Sequence, residues 1–163
     1  MTRQQAFGRR TVAELLETGL EVYEIFLAAG GHGQTFSDLK SVAERKRIRI
    51  VPVNRAEIER MAPGMNHQGV VAYYCGPLIL EVEDLLDLIT HQEPHPILLI
   101  DSVQDPRNLG AIIRSAEVLG GGGVIIKKHG ASGLTPLVIK ASAGAALRLP
   151  IASASNIDRV IRR

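Results

Sequence analysis

Helix-like and strand-like segments alternate along almost the whole chain, and this alternation restricts the possible fold more than any other feature of the sequence. Apolar residues at three- and four-residue spacing indicate helices, and runs rich in β-branched residues indicate strands. Helices are predicted at residues 9–18, 37–47 and 55–61, and strands at residues 22–28, 48–53 and 69–74. Because such strands need helices on their faces, residues 1–75 are predicted to form a small α/β sandwich.

A second α/β segment begins with the uninterrupted apolar run Ile97–Ile100, which is typical of a parallel strand buried on both faces. Helices at residues 109–119 and 134–143 are predicted to alternate with strands at residues 124–127 and 148–151. Residues 97–163 are therefore predicted to be the first part of a parallel-sheet domain. Three short strands make a small core, so we expect further chain or a partner to complete it.

Residues 76–96 separate the two segments and contain five Asp or Glu and no Lys or Arg. A short amphipathic helix is predicted at residues 82–90, and Pro77 and Pro94 interrupt regular structure on either side. This stretch is interpreted as an acidic linker.

Two N-cap residues are also predicted, Ser37 for the second helix and Asn156 for a helix near the end of the chain.

Charge is distributed unevenly, although the net charge is only +2. Lys and Arg outnumber Asp and Glu by 10 to 8 in residues 1–75 and by 9 to 4 in residues 97–163. Two basic segments around an acidic linker are compatible with a polyanionic partner such as RNA. Solvated helix faces give similar sums, so charge alone does not separate the two interpretations.

Composition disfavours several classes of protein. No apolar run approaches the roughly 18 residues that indicate a membrane helix, and the first residues lead into no secretory signal. A cytoplasmic protein without membrane association is therefore predicted. Cys75 is the only cysteine, which excludes an internal disulfide, and the five histidines lack metal-ligand spacing, so no metal site is predicted.

Residues 101–120, DSVQDPRNLGAIIRSAEVLG, are the most informative segment. They begin as a loop at the carboxyl end of a parallel strand, where open α/β sheets bind their ligands. Asn108 is placed to cap a helix that begins at Leu109. Gly110 has no helix-propensity reason to lie in the first turn, so we expect another backbone or a ligand to approach it closely.

One face of this helix is predicted to be buried. Its apolar stripe consists of Leu109, Ile112, Ile113, Ala116 and Leu119. Arg107 and Arg114 lie off the stripe, which leaves Arg114 free to face a cleft. A capped amphipathic helix with a surface arginine is the alternative interpretation of the same residues.

The same segment resembles the first motif of the SpoU/TrmH class of RNA ribose 2′-O-methyltransferases, members of the knotted SPOUT superfamily. KASAGAALRLPI at residues 140–151 resembles the Lys-x-Ser-x-Gly-Ala segment that follows in that family. GRRTVAELL near the start and HQGVVA at residues 67–72 resemble the N-terminal substrate-binding domain of its rRNA-modifying branch. The resemblance covers nearly the whole chain and implies a ribosomal-protein-like α/β domain followed by the first part of an α/β-knot domain.

The resemblance implies methyl transfer from S-adenosylmethionine to a ribose 2′-hydroxyl, on a guanosine of large-subunit rRNA, by a homodimer. It assigns Arg114 an activating role and Asn108 the role of holding the site. Arginine stays charged at neutral pH, so an orienting and electrostatic role for Arg114 is favoured over that of a base. RNA contacts are predicted at Arg9, Arg10, Arg45, Lys46 and Arg107, with solvated helix ends as the alternative for the first four.

The sequence departs from the family pattern towards its end. The second and third family motifs, which form the knot and most of the S-adenosylmethionine pocket, do not occur, so no cofactor-binding residue is predicted. The chain is accordingly expected to be incomplete and to have little or no activity by itself. The alternatives are a catalytically silent RNA-binding module, a methyltransferase acting on tRNA, and a nucleotide-binding α/β protein unrelated to RNA.

Overall fold

A four-stranded and a three-stranded sheet are the centres of two structural units, Met1–Pro77 and Leu78–Arg163. The computed structural model describes residues 3–31, 33–76, 79–90 and 95–162. None of the helices in these ranges is long and apolar enough to cross a membrane.

The first unit is a mixed sheet covered by helices. Its elements are β1 (Arg3–Phe7), α1 (Arg9–Glu17), β2 (Val22–Ala28), α2 (Gln34–Arg45), β3 (Arg49–Val53), α3 (Arg55–Met61) and β4 (Val70–Cys75). The strand order is β1-β4-β2-β3, in which β2 and β3 are parallel and β4 is antiparallel to β1 and β2. Phe7 and Val71 pack with Ile58 of α3 on one face, whereas Ile25 and Leu27 are buried on the other.

Strand β1 is an addition to the predicted elements. Its sequence, RQQAF, has only two apolar residues and lacks the alternation that indicates a strand. It forms because its backbone pairs with β4, where Gln4 lies opposite Tyr74 and accepts a hydrogen bond of 3.3 Å from the Tyr74 hydroxyl. Burial raises the pKa of that hydroxyl, which keeps it protonated as a donor.

Helix α2 begins three residues before the predicted cap, so the prediction of Ser37 as N-cap is wrong. Gly33 is the N-cap, with a φ of 106° that favours glycine, and Ser37 lies inside the first turn. The physical reason is Phe36, whose ring is 3% exposed. Starting the helix earlier buries this ring within the first turn.

The second unit contains a parallel sheet, as predicted. Its elements are α4 (Val82–Thr90), β5 (Ile97–Ile100), α5 (Pro106–Val118), β6 (Gly123–Lys127), α6 (Pro136–Ala141), β7 (Ile151–Ala154) and α7 (Ile157–Ile161). The strand order is β5-β6-β7, and both pairs are parallel. Strand β6 is buried on both faces at Val124, Ile125 and Ile126.

The end of the second unit differs from the prediction in one strand and agrees in one cap. Strand β7 begins at Ile151 and not at residue 148, because a 3-10 turn, Ala145–Leu147, follows α6 and delays the return to the sheet. Asn156 caps α7 as predicted, since its side chain accepts a hydrogen bond of 3.0 Å from the Arg159 amide.

Helix α4 lies within the second unit, although its sequence was interpreted as part of a linker. Leu80, just before it, exchanges backbone hydrogen bonds with β7, donating to Ile151 and accepting from Ser153. Val82 and Leu85 then pack into one hydrophobic cluster with strands β6 and β7. The predicted chain breaks at Pro77 and Pro94 fall outside the described residues.

Candidate functional site

The loop after β5 is held at the carboxyl edge of the sheet by a charged pair. Asp101 Oδ1 lies 2.7 Å from Lys127 Nζ at the end of the neighbouring strand β6, and the Ser102 hydroxyl donates to the same oxygen at 3.0 Å. Lys127, and after it Ser102, hold the pKa of the Asp101 carboxyl below its ordinary value. The start of the predicted motif is therefore a fixed, ionised loop beside the sheet edge.

Helix α5 begins at Pro106 and its N-cap is Asp105, so the prediction that Asn108 caps a helix starting at Leu109 is wrong. The Asp105 side chain accepts a hydrogen bond of 2.8 Å from the Arg107 amide. Proline is preferred at the first helical position, and the Asp-Pro pair could have located the cap from the sequence. Asn108 lies in the first turn with an exposed side chain.

Arg114 and Arg107 occupy one exposed face of α5. They are seven residues apart, which places them within about 20° of each other around the helix axis. Arg114 makes no hydrogen bond or ion pair with the residues that the structure describes, Asn108 included. The structure thus presents Arg114 to solvent as a free cation, in agreement with its predicted position off the buried stripe.

The buried stripe of α5 is shorter than predicted. Leu109, Ile113 and Ala116 are buried, but Leu119 is 80% exposed, so its assignment to the stripe is wrong. The helix ends at Val118, and Gly120, with a φ of 76°, turns the chain before another helical turn forms. An apolar groove of about 500 Å³ beside β5 is left open here, lined by Leu98, Ile112 and Leu119 among others.

Gly110 meets another backbone, which is one of the two reasons expected for it. A methyl group at this position would lie 2.5 Å from Ala141 Cβ, 2.8 Å from the Val138 carbonyl oxygen and 2.9 Å from the Ser142 nitrogen. The absence of a side chain lets α5 pack directly on the end of α6. The two segments that resemble family motifs, residues 101–120 and 140–151, are thereby in contact.

A second link between the two segments is ionic. In the turn after α6, the polar groups of Ser142 are paired within the turn itself. Arg148 donates to Glu117 through Nε at 2.6 Å and Nη2 at 3.1 Å. Ser142, which is 1% exposed, donates to the Ile139 carbonyl and accepts from the Ala146 amide. The serine of the KASAG segment therefore holds the turn together and is not a free polar group.

The predicted RNA contacts lie in different places. Arg9 and Arg10 line a cleft of about 740 Å³ in the first unit, together with Arg55, which the sequence did not single out. Arg45 and Lys46 are at the opposite end of α2, roughly 15 Å along the helix from its first turn. Lys46 Nζ donates to the Leu16 carbonyl oxygen of α1.

A histidine and a glutamate fix the loop that borders this cleft. His67, 6% exposed, accepts from the Gly69 amide through Nδ1 at 3.0 Å, and its Nε2 lies 2.9 Å from Glu59 Oε2. The Gly64 amide donates to the other Glu59 oxygen at 2.9 Å. The Gly64 amide, followed by His67, lowers the pKa of the Glu59 carboxyl below its ordinary value. Among the described residues, no three His, Cys, Asp or Glu side chains group as metal ligands.

Two family models match the chain. The model for RNA 2′-O ribose methyltransferase substrate binding matches residues 5–76. The model for the SpoU rRNA methylase family matches residues 95–163.

Curated relatives match the chain over nearly its full length. The 23S rRNA (guanosine-2′-O-)-methyltransferase RlmB of Xylella fastidiosa is 37% identical over 161 residues, which are 98% of this chain and 65% of the relative. An uncharacterized tRNA/rRNA methyltransferase of Mycobacterium avium is 32% identical over 160 residues, 98% of this chain and 52% of the relative. The chain thus spans between half and two thirds of the length of these relatives.

Solved structures share the fold. The AdoMet-bound rRNA methyltransferase from Sinorhizobium meliloti superimposes with a TM-score of 0.73 at 25% identity, over 98% of this chain and 57% of the other. The SpoU methyltransferase AviRb from Streptomyces viridochromogenes, at 23% identity and a TM-score of 0.72, shows the same fold over 98% of this chain and 58% of its own. These similarities confirm the predicted fold class.

Proposed function

We propose that this chain, which belongs to the SpoU class of RNA methyltransferases, serves the transfer of a methyl group from S-adenosylmethionine to a ribose 2′-hydroxyl of 23S rRNA. The observation that carries the proposal is the order of the two matched segments, a substrate-binding domain at residues 5–76 followed by a methylase segment at residues 95–163. The 37% identity to a guanosine-2′-O-methyltransferase supports guanosine as the target nucleoside. We infer a cytoplasmic location from this substrate.

Arg114 is the residue that we assign to the reaction centre. Loss of the ribose hydroxyl proton leaves negative charge on the attacking oxygen, and a fixed cation stabilises such charge and orients the neighbouring phosphate. Arg114 suits this role because α5 holds it exposed and the described residues provide no competing anion. Asn108, in the first turn of the same helix, is assigned to holding the RNA near this centre, and Arg107 to a phosphate contact.

S-adenosylmethionine is the proposed cofactor, but no residue of this chain is proposed to bind it. At the carboxyl edge of the second sheet, the described residues around Lys128, Ser153 and Asn156 form a pocket of about 220 Å³. Ligand sites for molecules of this kind have volumes of about 300 to 1,000 Å³. These residues therefore do not fit S-adenosylmethionine by themselves, and we derive no step from them.

We also propose that the protein is a homodimer. The support is an exposed apolar surface on α5 and β5 that includes Leu98, Val118 and Leu119, the last two 78% and 80% exposed. Apolar patches of this kind mark association sites. Sedimentation equilibrium tests the proposal: a monomer at all micromolar concentrations contradicts it.

Incubation of the protein expressed from its whole gene with tritiated S-adenosylmethionine and deproteinised 23S rRNA tests the proposed function, with calorimetric titration of the cofactor in parallel. Label in 2′-O-methylguanosine supports the enzyme. RNA binding without cofactor heat or methyl transfer supports the alternative, a catalytically silent RNA-binding module. A chain that binds no RNA contradicts both.

A further inference from the structure

One cleft of the first unit is lined by three arginines from the helices α1 and α3. It has a volume of about 740 Å³, within the range of about 300 to 1,000 Å³ that is usual for ligand sites. Its described lining contains the side chains of Arg9, Arg10 and Arg55 and no Asp or Glu. A concave site with this charge balance favours an anionic ligand.

Arg9 is the fixed member of the three arginines. Its Nε donates to the Gln68 carbonyl oxygen at 3.2 Å, and its amide donates to Gln68 Oε1 at 3.1 Å. Its guanidinium lies 5.3 Å from the centre of the Phe36 ring, which adds a cation–π contact. These contacts hold part of the cationic surface in place before any ligand arrives, which lowers the entropic cost of binding.

Arg10 and Arg55 are the exposed members, and neither makes a hydrogen bond or an ion pair within the described parts of the chain. Arg55 acts at longer range on Glu59, but that carboxylate is bound by Gly64 and His67 and does not line the cleft. Both guanidiniums are therefore available to a ligand. A guanidinium presents a planar set of donors that suits phosphate oxygens.

The helix starts at this cleft add to the positive potential. Helices α1 and α2 begin after Gly8 and Gly33, which offer no side-chain cap, whereas Asn54 caps α3 by accepting from the Glu57 amide. The Arg10 amide has no acceptor among the described residues. Gln68 Oε1 accepts from the Arg9 amide at the start of α1, but a helix start still carries partial positive charge, which favours phosphate.

We propose that this cleft binds the sugar-phosphate backbone of the RNA substrate, with Arg10 and Arg55 contacting phosphates and Arg9 forming the fixed floor. The inference rests on the proposed function, because it names the surface through which the substrate-binding unit holds RNA. The cations come from separate helices and the cleft is open, an arrangement that suits successive phosphates of a polymer and fixes its register.

The test compares two arginines of one helix. Arg55 begins α3 and lines the cleft, whereas Arg60, also exposed, lies in the last turn, donates to the Ala56 carbonyl and does not line it. Arg55→Gln and Arg60→Gln remove the same charge from the same element. Affinity of the whole chain for labelled, deproteinised 23S rRNA is measured by filter binding at several salt concentrations, and circular dichroism establishes that each variant is folded.

Arg55→Gln is expected to weaken binding about tenfold and to reduce the slope of log affinity against log salt by about 0.7 to 0.9, the loss of one phosphate contact. Arg60→Gln is expected to change neither quantity. The double variant Arg10→Gln/Arg55→Gln is expected to lose roughly two such contacts.

Three results would overturn the inference. Equal affinities of the double variant and the wild-type chain for 23S rRNA refute the cleft as an RNA-binding site and leave the proposed function intact. Competition by duplex DNA that is as effective as competition by RNA refutes RNA as the ligand. A wild-type chain that binds no 23S rRNA refutes the proposed function and the cleft together.

Discussion

Replacement of Gly110 by alanine tests how the two motif-like segments of the second unit are packed. The added methyl group would lie 2.5 Å from Ala141 Cβ and within 2.9 Å of two backbone atoms, the Val138 oxygen and the Ser142 nitrogen. Favourable contacts between such atoms occur at about 3.5 to 4.0 Å. Helices α5 and α6 must therefore move apart to admit the methyl group.

The expected magnitude follows from two opposing effects. Alanine is a better helix former than glycine by about 1 kcal/mol, which by itself would stabilise the variant. Overpacking costs about 1 to 3 kcal/mol, and the upper end applies because the backbone atoms of Val138 and Ser142 cannot rotate away. The net expectation is a loss of about 2 kcal/mol in the free energy of unfolding.

Urea unfolding followed by circular dichroism measures this change, and hydrogen exchange of the α5 and α6 amides locates it in the second unit. Gly133→Ala is the matched control, because an added Cβ there meets nothing within 4 Å. It is expected to leave stability unchanged or to raise it by up to about 1 kcal/mol. A Gly110→Ala variant as stable as the wild-type chain would refute the close approach of the two helices.

Three further variants probe contacts around the candidate sites. Asp105→Ala is expected to lose about 1 kcal/mol of stability in urea unfolding, because the Arg107 amide loses its cap, whereas Asn108→Ala is expected to change it by less than about 0.5 kcal/mol. The reverse order would show that Asn108 is the cap after all. Because the folded protein lowers the pKa of the Glu59 carboxyl below its ordinary value of 4.5, the ionised carboxylate stabilises the fold at pH values above 4.5. This stabilisation is lost as the pH falls through the folded-state pKa. Glu59→Gln is therefore expected to lose less stability than the wild-type chain between pH 6 and pH 3, roughly the window in which carboxylates titrate, and an equal loss would contradict the contact.

Most helices and strands could be predicted from the sequence because the residues of each element specify it by themselves. The α3 and α4 segments, the strand Ile97–Ile100 and the Asn156 cap were found where the periodicity or the cap residue indicated them. Strand β1 escaped because its residues become a strand only through pairing with β4, almost seventy residues away in sequence. The start of β7 was misplaced because the 3-10 turn after α6 depends on buried contacts of Ser142 that no local rule describes.

Correct prediction of the candidate site residues from the sequence required the exact start and end of each helix. Asn108 was preferred as a cap although the Asp105–Pro106 pair marks an earlier start, and Leu119 was assigned to a helical turn that never forms. Arg55 could not be recognised as a site residue from the sequence. It reaches the same cleft as Arg10 because the parallel strands β2 and β3 end at one edge of the sheet, and only the strand order reveals this.

We propose that this chain serves ribose methylation of 23S rRNA through Arg114. The most direct measurement maps 2′-O-methyl groups in 23S rRNA from cells whose only copy of the gene carries Arg114→Ala, with Arg162→Ala as the control at another exposed arginine. We predict that one guanosine loses its ribose methyl group in the Arg114 strain and keeps it in the control. An unchanged methylation pattern in the Arg114 strain would contradict this role of Arg114.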